Sequence, residues 1–402
     1  MKRSILEGLY VGNGALDIIG KRKRAYVFFS LLVLGCILTM VFKGFNLGID
    51  FVGGTRIQMP AVSASGPIEP GAVEDVYDEA LPGKEAASVQ TVGAGNTASI
   101  QIRSETLSTD EVADLKAALF DRLAPVSPEG ESSQTLISDS AVSGSWGGEI
   151  STKALWALIV FLVLVTVFLA LYFERWMAVA ALVGLLHDLV ITAGIYSLVG
   201  FEVTPGTVIG LLTILGFSLY DTVVVFDKVK ENTRGLLGLT RRTYGEAANL
   251  AVNQTFMRSI NTSLIALLPV TGLLVIGVGL LGVGTLADLA LVQATGMLAG
   301  VISSIFLCTP ILVDLKMLDP KYKQQAQRVA LRRANVARKQ AAGAGAEVPD
   351  AELDTTDDAA LGAELRREKA MAAAGGVPAR TAKAADQKRK STGHRPQGKK
   401  RR

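Results

Sequence analysis

The sequence predicts a membrane protein: an all-α bundle of six spanning helices, one extracytoplasmic α+β domain, and a disordered cytoplasmic tail. Hydrophobic residues make up 49% of the 402 residues and the mean hydropathy is +0.36, too apolar for an ordinary water-soluble protein. Six apolar runs are long enough to cross a bilayer core of about 30 Å. Between the first two runs lies a polar stretch of about a hundred residues, enough for a small domain.

The first span is expected at residues 25–43, after a polar arm at residues 1–24 that ends in the basic cluster Lys21-Arg22-Lys23-Arg24. By the positive-inside rule this cluster places the arm in the cytoplasm. Five further spans are expected within residues 154–313, at 154–173, 177–199, 204–226, 260–281 and 286–313. Six spans put both termini in the cytoplasm, and the basic cytoplasmic loop at residues 227–259 agrees with that orientation.

Residues 44–153 are expected to form the extracytoplasmic domain. Alternating apolar residues predict strands at 55–59, 88–92, 97–103 and 134–142, and a helix at 69–81. A second helix begins at Ser108, where Ser108 and Glu111 have the spacing of a capping box. The order βαββαβ is that of a ferredoxin-like unit. Glycine and serine dominate residues 143–148, which predicts a flexible connection to the second span.

Residues 314–402 form a basic tail in which residues 321–340 have high helix propensity. Most of the remainder is expected to be disordered, because it is poor in hydrophobic and aromatic residues. Its basic end could attract anionic lipid or ribosomal RNA, but a cytoplasmic flank is basic in any case, and no specific nucleic-acid partner is expected. The two cysteines, Cys36 and Cys308, lie in apolar runs and are expected to be buried rather than disulfide-bonded.

Asp221 is an ionisable residue within the span at residues 204–226. Such a residue costs roughly 3 kcal/mol on insertion scales, which makes it a candidate for an ion path. Helical spacing puts Asp221 on a mostly small and polar stripe, so it should face other helices, not lipid: Thr207, Gly210, Ile214, Ser218. Arg258, at the inner end of the next span, is the expected counter-charge for a proton relay. The alternative is that Arg258 only anchors its helix at the headgroups.

His187 and Asp188 form a second ionisable pair within the membrane and are candidates for an accessory relay, since histidine titrates near neutrality. The alternative is a buried polar pair that fixes helix packing. Because adjacent residues point in different directions on a helix, the two alone predict neither a metal site nor a catalytic dyad.

Two rows of small residues predict close helix packing: Gly206 with Gly210, and Gly296, Gly300 and Ser304. The stretch GVGLLG at residues 277–282 matches a dinucleotide fingerprint, but no strand precedes it and it ends a membrane span. The sequence has no Walker motif, no metal-ligand cluster and no nucleophile near a base. We therefore expect neither an enzyme nor a cofactor.

Four stretches carry a resemblance to a known family: FNLGIDFVGGT at 45–55, LLHD at 185–188, YDTVVVFDKVKEN at 220–232 and GVISS at 300–304. They resemble the SecD/SecF family of bacterial protein export, part of the resistance-nodulation-division superfamily. The resemblance implies half of that superfamily's helix bundle, with Asp221 and Arg258 at the positions of the family's proton relay. It also implies an inner-membrane subunit that works with SecD on the SecY/SecE/SecG translocon, with YajC and YidC as further candidate partners.

The function that this resemblance implies is late-stage translocation of unfolded preproteins, driven by the proton motive force. Independently, six spans without a second internal copy predict one half of a two-part transporter in contact with membrane lipids. Two alternatives stay open at this point. One is a half-transporter that exports a small lipid or drug, and the other is a scaffold for the translocon without a motor function.

Overall fold

The structure is a computed structural model that describes residues 16–93, 95–280 and 285–341, with short pieces between residues 359 and 370. In chain order the helices are α1 (Arg22–Lys43), α2 (Ile49–Val52), α3 (Pro70–Ala80), α4 (Thr109–Leu123), α5 (Gly144–Tyr172), α6 (Arg175–Val199), α7 (Pro205–Asn232), α8 (Tyr244–Gly272), α9 (Thr285–Ser303), α10 (Thr309–Met317) and α11 (Pro320–Ala341). π-helical turns follow α8 at Leu273–Leu280 and α9 at Ser304–Cys308.

The strands are β1 (Asn46–Leu47), β2 (Gly54–Pro60), β3 (Val62–Ser63), β4 (Gly66–Pro67), β5 (Ala86–Val92), β6 (Ser99–Ser104), β7 (Ser138–Val142) and β8 (Glu202–Val203). The described residues fall into two compact units. One comprises residues up to 229 together with 248–316, and the other comprises residues 230–247 together with those from 317 onwards.

Six of the described helical segments are long and apolar enough to cross a membrane: Arg22–Lys43, Gly144–Tyr172, Arg175–Val199, Pro205–Gly238, Tyr244–Leu280 and Leu286–Met317. Each overlaps a span that the sequence predicts, but the second and fifth begin 10 and 16 residues earlier than predicted, and the fourth ends 12 residues later. The third and the sixth of these segments, Arg175–Val199 and Leu286–Met317, are the most buried. Helix α6 packs against α1, α5 and α9. Helix α6 is therefore central to the bundle, and its His187 and Asp188 are buried there.

Between α1 and α5 the chain forms a four-stranded antiparallel sheet in the order β5-β6-β2-β7. Helices α3 and α4 pack against each other, and the elements follow one another as βαββαβ. The register pairs Ile57 with Ile102 and Met59 with Ile100, so these four side chains, each at most 1% exposed, lie in one core. This is the alternation expected of strands with one buried face.

Helix α4 begins at a complete capping box. The Ser108 backbone N–H donates to Glu111 Oε2 at 2.7 Å, and the Glu111 N–H donates to Ser108 Oγ at 3.3 Å. The Lys84 ammonium lies 2.8 Å from Glu111 Oε1. The hydrogen bond from Lys84, followed by those from Ser108, lowers the pKa of Glu111 to about 2.

The predicted flexible connection at residues 143–148 is wrong, because this stretch is the start of α5. Ser143 caps the helix by accepting a hydrogen bond from the Trp146 N–H at 3.4 Å. Gly147 packs on α2, where a Cβ would lie only 2.7 Å from the Phe51 carbonyl oxygen. Gly53, with φ of +82°, turns the chain out of α2 at a conformation that favours glycine. Tertiary contact thus orders a segment with poor intrinsic helix propensity.

In the second unit, α11 packs against the segment at residues 230–247. Gln325 Nε2 donates to the carbonyl oxygens of Leu239 at 3.0 Å and Arg242 at 2.7 Å, and the rings of Tyr244 and Tyr322 lie 5.0 Å apart. The sequence predicts this helix at 321–340, close to the observed bounds. Most of the tail predicted to be disordered lies outside the described residues.

Candidate functional site

The polar stripe of α7 is buried within the bundle. Asp221 is 8% exposed, and Thr207, Ile214 and Ser218 are between 1% and 6% exposed. The stripe arises because these positions recur every three or four residues and so share one face of the helix. Asp221 therefore faces neighbouring helices, in the direction that the helical spacing predicts.

Helix α9 packs along this stripe through its glycines. A Cβ at Gly296 would lie 2.4 Å from Ile214 Cδ1, and a Cβ at Gly210 would lie 2.2 Å from Val292 Cγ1. Only glycine allows the two helices to approach so closely at these points. A Cβ at Gly206 would meet no atom of another described helix within 4 Å, so the structure does not place Gly206 in this contact.

One turn further along, the contact between α7 and α9 becomes polar. A Cβ at Gly300 would lie 3.1 Å from Ser218 Cβ, and Ser304 Oγ donates a hydrogen bond to Asp221 Oδ2. Ser304 is fully buried and begins the π-helical turn Ser304–Cys308. Such turns are frequent at functional sites, because they alter the direction of side chains on a helix. Sequence reasoning identified Ser304 only as a packing residue, and missed its bond to the carboxylate.

Asp188 on α6 bonds the same face of α7 one turn away. Its Oδ2 accepts a hydrogen bond from Ser218 Oγ, and its Oδ1 lies 3.0 Å from His187 Nδ1. The expectation that the adjacent His187 and Asp188 side chains point apart is therefore wrong, since rotamers allow them to meet. His187 Nε2 is buried without a hydrogen-bond partner among the described residues. Ser218, which bonds Asp188, lies three residues before Asp221 on the same helix face, and that spacing was visible in the sequence.

A small cavity of about 30 Å³ adjoins Asp221 and is lined by residues of α7, α8 and α9. Its polar walls include the side chains of Ser218, Asp221, Thr262 and Ser263. A cavity holds a water molecule when it offers at least about 10–15 Å³ and several polar partners. The space beside Asp221 is large enough for one water molecule, with the Asp221 side chain among its lining residues.

The structure does not bring Arg258 to Asp221. The Arg258 side chain is exposed and makes no ion pair with any described residue. It lies on α8 four and eight residues before Thr262 and Ala266, which line the cavity. On a helix this spacing puts Arg258 on the same face, about 6 Å nearer the start of α8. The buried carboxylates are thus hydrogen-bonded by hydroxyl groups, and no described lysine or arginine pairs with them.

Metal binding finds no support in the geometry of the described residues, which contain no cluster of three His, Cys, Asp or Glu side chains that could hold an ion. Both cysteines are buried with free thiols. The site thus contains two buried carboxylates, on α6 and α7, and a water-sized cavity beside Asp221 that is lined by α7, α8 and α9.

Comparison with known proteins identifies the family. The protein translocase subunit SecF of Mycobacterium tuberculosis is 54% identical over 330 residues, which cover 82% of this chain and 74% of the relative. The chain belongs to the SecD/SecF family. The family model for the C-terminal part of the protein export membrane proteins SecD/SecF matches residues 125–318, and the model of the SecD/SecF GG motif matches residues 39–64. The chain is thus a multi-pass membrane protein with a role in Sec-pathway protein export.

Two further relatives show how far the SecD/SecF similarity extends. The protein translocase subunit SecF of Streptomyces coelicolor is 44% identical over 88% of this chain and 91% of its own length. The crystal structure of SecDF from Thermus thermophilus superimposes with a TM-score of 0.64 at 30% identity. That match covers 75% of this chain but 39% of the SecDF chain, so this chain spans about two fifths of the solved protein.

Proposed function

We propose that this chain is the SecF subunit of the Sec machinery, and that proton binding at Asp221 drives late-stage preprotein movement. The observation that carries the proposal is the buried Asp221 carboxylate, bonded to Ser304 across the contact of α7 and α9 and without a cationic partner among the residues that the structure describes. An uncompensated charge is costly at such a position. A proton that reaches Asp221 therefore changes the contact between two packed helices.

The hydrogen bond to Ser304 explains how charge state and packing are connected. An ionised Asp221 can only accept a hydrogen bond, whereas the protonated acid can also donate one. Helices α7 and α9 are in close contact at Gly296 and Gly300, with no flexible side chain between them at these points. A small shift at Ser304 is therefore expected to move the helices themselves. The adjoining cavity of about 30 Å³ supplies the place from which water would deliver the proton.

His187 and Asp188 form the accessory part of the proposed relay. Ser218 bonds Asp188 to α7 one turn from Asp221, so a proton at Asp188 acts on the same helix as a proton at Asp221. Arg258 gates the site in this proposal once the partner covers the exposed face of α8. The solved SecDF is nearly twice as long as this chain, which supports a second half supplied by SecD.

The proposed locations of the domains and partners follow from the orientation of the spans in the membrane. The sheet domain within residues 44–153 is ferredoxin-like and extracytoplasmic, with flanking segments at 1–24 and 314–402 in the cytoplasm. The bundle comprises residues 25–43 and 154–313, in contact with inner-membrane lipids. Docking on SecY/SecE/SecG, with YajC and YidC as further partners, lets the outer domain act on the emerging preprotein. The mycobacterial relative's name, protein translocase subunit, supports this assignment over export of a small lipid or drug.

The test is movement of a stalled preprotein in inverted membrane vesicles that contain SecD, with ATP exhausted and a proton gradient imposed. Asp221→Asn keeps the shape of the side chain but cannot carry the proton, so gradient-driven movement should fall to the background rate. Asp227→Asn, six residues along the same helix and outside the cavity lining, is the matched control and should behave like the native protein. Equal rates for both variants would make the intramembrane charge structural and favour the scaffold alternative.

A further inference from the structure

Three charged side chains meet where the sheet domain joins the membrane bundle. Glu202 of β8 lies in the short loop between α6 and α7. Its Oε1 accepts a hydrogen bond from Arg56 Nη2 of β2 at 2.9 Å, and its Oε2 lies 3.5 Å from Arg103 Nη1 of β6. The side chains of Glu202, Arg56 and Arg103 are 10%, 16% and 8% exposed. One carboxylate thus holds two neighbouring strands of the sheet.

The backbone around this cluster is joined as well. β1 pairs in parallel with β8, with Asn46 opposite Glu202 and Leu47 opposite Val203. Arg103 donates to Asn46 Oδ1 at 3.1 Å and to the Leu47 carbonyl oxygen. The segment after α1, the loop after α6 and the central strands of the sheet therefore form a single joint.

Two further acids extend the cluster. Asp50 of α2 lies 3.8 Å from Arg56, and Asp288, at the start of α9, interacts electrostatically with Glu202 and both arginines. Glu202 and Asp288 lie at one end of the helix bundle and Asp50 lies on α2, whereas both arginines lie on strands of the sheet. In this cluster, Glu202 of the bundle thus faces the two arginines of the sheet, so opposite charges meet across the junction of domain and bundle.

Glu202 is also fastened to the helix that carries Asp221. The Glu202 carbonyl oxygen accepts a hydrogen bond from Thr207 Oγ1 at 3.2 Å, and Thr207 Oγ1 in turn accepts one from the Thr204 N–H at 3.1 Å. These bonds tie the loop to the first turn of α7. Asp221 lies sixteen residues after Pro205 in the same helix, about 24 Å away. A displacement of α7 at Asp221 therefore reaches Glu202 through one continuous helix.

We propose that Glu202, held between Arg56 and Arg103, is the residue that couples α7 to the outer domain. This inference rests on the proposed function of Asp221 and assigns the step that follows proton binding. In this role the joint stays closed throughout the cycle, and the domain moves because α7 moves. Glu202 is a positioning residue: it neither binds the proton nor contacts the site at Asp221.

The experiment measures the position of the domain directly. Spin labels at Asp114→Cys, exposed on α4, and Leu198→Cys, exposed at the outer end of α6, report the distance between domain and bundle. The background carries Cys36→Ala and Cys308→Ala, and SecD is present. With Glu202 intact, Asp221→Asn should shift the distance distribution.

In Glu202→Gln the same Asp221→Asn substitution should leave the distance unchanged, and gradient-driven export should be lost. A distance that still responds to Asp221→Asn in Glu202→Gln would overturn the coupling role while leaving the proposed function standing. No response even with Glu202 intact would instead remove the proposed function on which this inference rests. The two failures are thereby distinguished.

An engineered disulfide tests whether covalent closure of the joint restores export in Glu202→Gln. Leu47 and Val203 are register partners of adjacent parallel strands, whose spacing of about 4.8 Å suits a disulfide between Leu47→Cys and Val203→Cys. Oxidation should leave export intact when Glu202 is present and restore it in Glu202→Gln, because the joint is then closed covalently. Loss of export on oxidation with Glu202 present would show that the joint must open, and would overturn the proposal even if Glu202→Gln fails to assemble.

Discussion

Substitution of Gly296 by alanine tests the contact on which the membrane site depends. The added Cβ would lie 2.4 Å from Ile214 Cδ1 and 2.6 Å from Cγ2 of the same side chain. Both distances are roughly 1 Å below the optimal separation of carbon atoms, about 3.5–4.0 Å. Ile214 is 1% exposed, so it has no free space into which to rotate. Helices α7 and α9 must therefore separate.

Overpacking of this kind destabilises a protein by about 1–3 kcal/mol. Gly296→Ala should lower the free energy of unfolding in detergent by that amount. Gradient-driven export should fall as well, because separation of α7 and α9 also weakens the bond between Ser304 and Asp221, two turns further along. The control is Gly216→Ala on α7, where a Cβ would meet nothing within 4 Å. Alanine is favoured over glycine in a helix by up to about 1 kcal/mol, so this variant should be neutral or stabilised.

A double mutant identifies Ile214 as the cause. Ile214→Ala removes the three atoms nearest the new methyl group, so Gly296→Ala with Ile214→Ala should be less destabilised than the sum of the single variants. Thermal unfolding of the four proteins measures this difference. Additive effects, or equal losses for Gly296→Ala and Gly216→Ala, would refute the close contact between α7 and α9.

Two further predictions concern single hydrogen bonds. Ser304→Ala removes the donor to Asp221, a bond to a carboxylate whose loss is worth about 1.5–3 kcal/mol, and should slow gradient-driven export about tenfold or more. Ser303→Ala, whose hydroxyl bonds a backbone carbonyl, should leave the rate unchanged, and equal slowing of both would count against the reasoning. The pKa of Glu111, lowered to about 2 mainly by Lys84, predicts that Glu111→Gln destabilises the sheet domain at neutral pH. The difference in urea midpoint between the native protein and Glu111→Gln should shrink as pH falls from about 4.5 towards 2, because the Glu111 carboxylate is then protonated. A difference that does not depend on pH would contradict this prediction.

Much of the fold could be predicted because its signals are periodic. Membrane spans need about twenty apolar residues, and apolar and polar residues alternate in strands with one buried face. Both patterns can be recognised in the sequence. The same holds for the stripe on α7, since helical spacing alone puts Asp221 and Ser218 on one face. Capping at Ser108 was equally local, because its partner Glu111 is only three residues away.

What could not be predicted depends on contacts between distant residues. The start of α5 at Gly144 is ordered by packing on α2, which lies about ninety residues earlier and contributes no local signal. The partner of Asp221 was sought among cations, because a buried charge is usually paired with one, and Arg258 was expected because it lies at the inner end of the next span. The hydroxyl of Ser304 reaches Asp221 only because α9 lies in parallel register with α7 and turns into a π-helix there.

In the part of the chain that the structure describes, hydroxyl groups, rather than cations, bond the buried carboxylates. This choice determines how the site responds when the proposed relay changes between its ionised and protonated forms. A buried arginine bonded to Asp221 would hold the carboxylate ionised and fix α7 in one position. Ser304 and Ser218 can bond either form of an acid, since a hydroxyl both donates and accepts. In the proposed relay these hydroxyls therefore keep their partners when a proton binds, and only the direction of the bonds changes. Arg258, one turn of α8 before Thr262 at the cavity, would in the same proposal approach Asp221 without replacing these bonds.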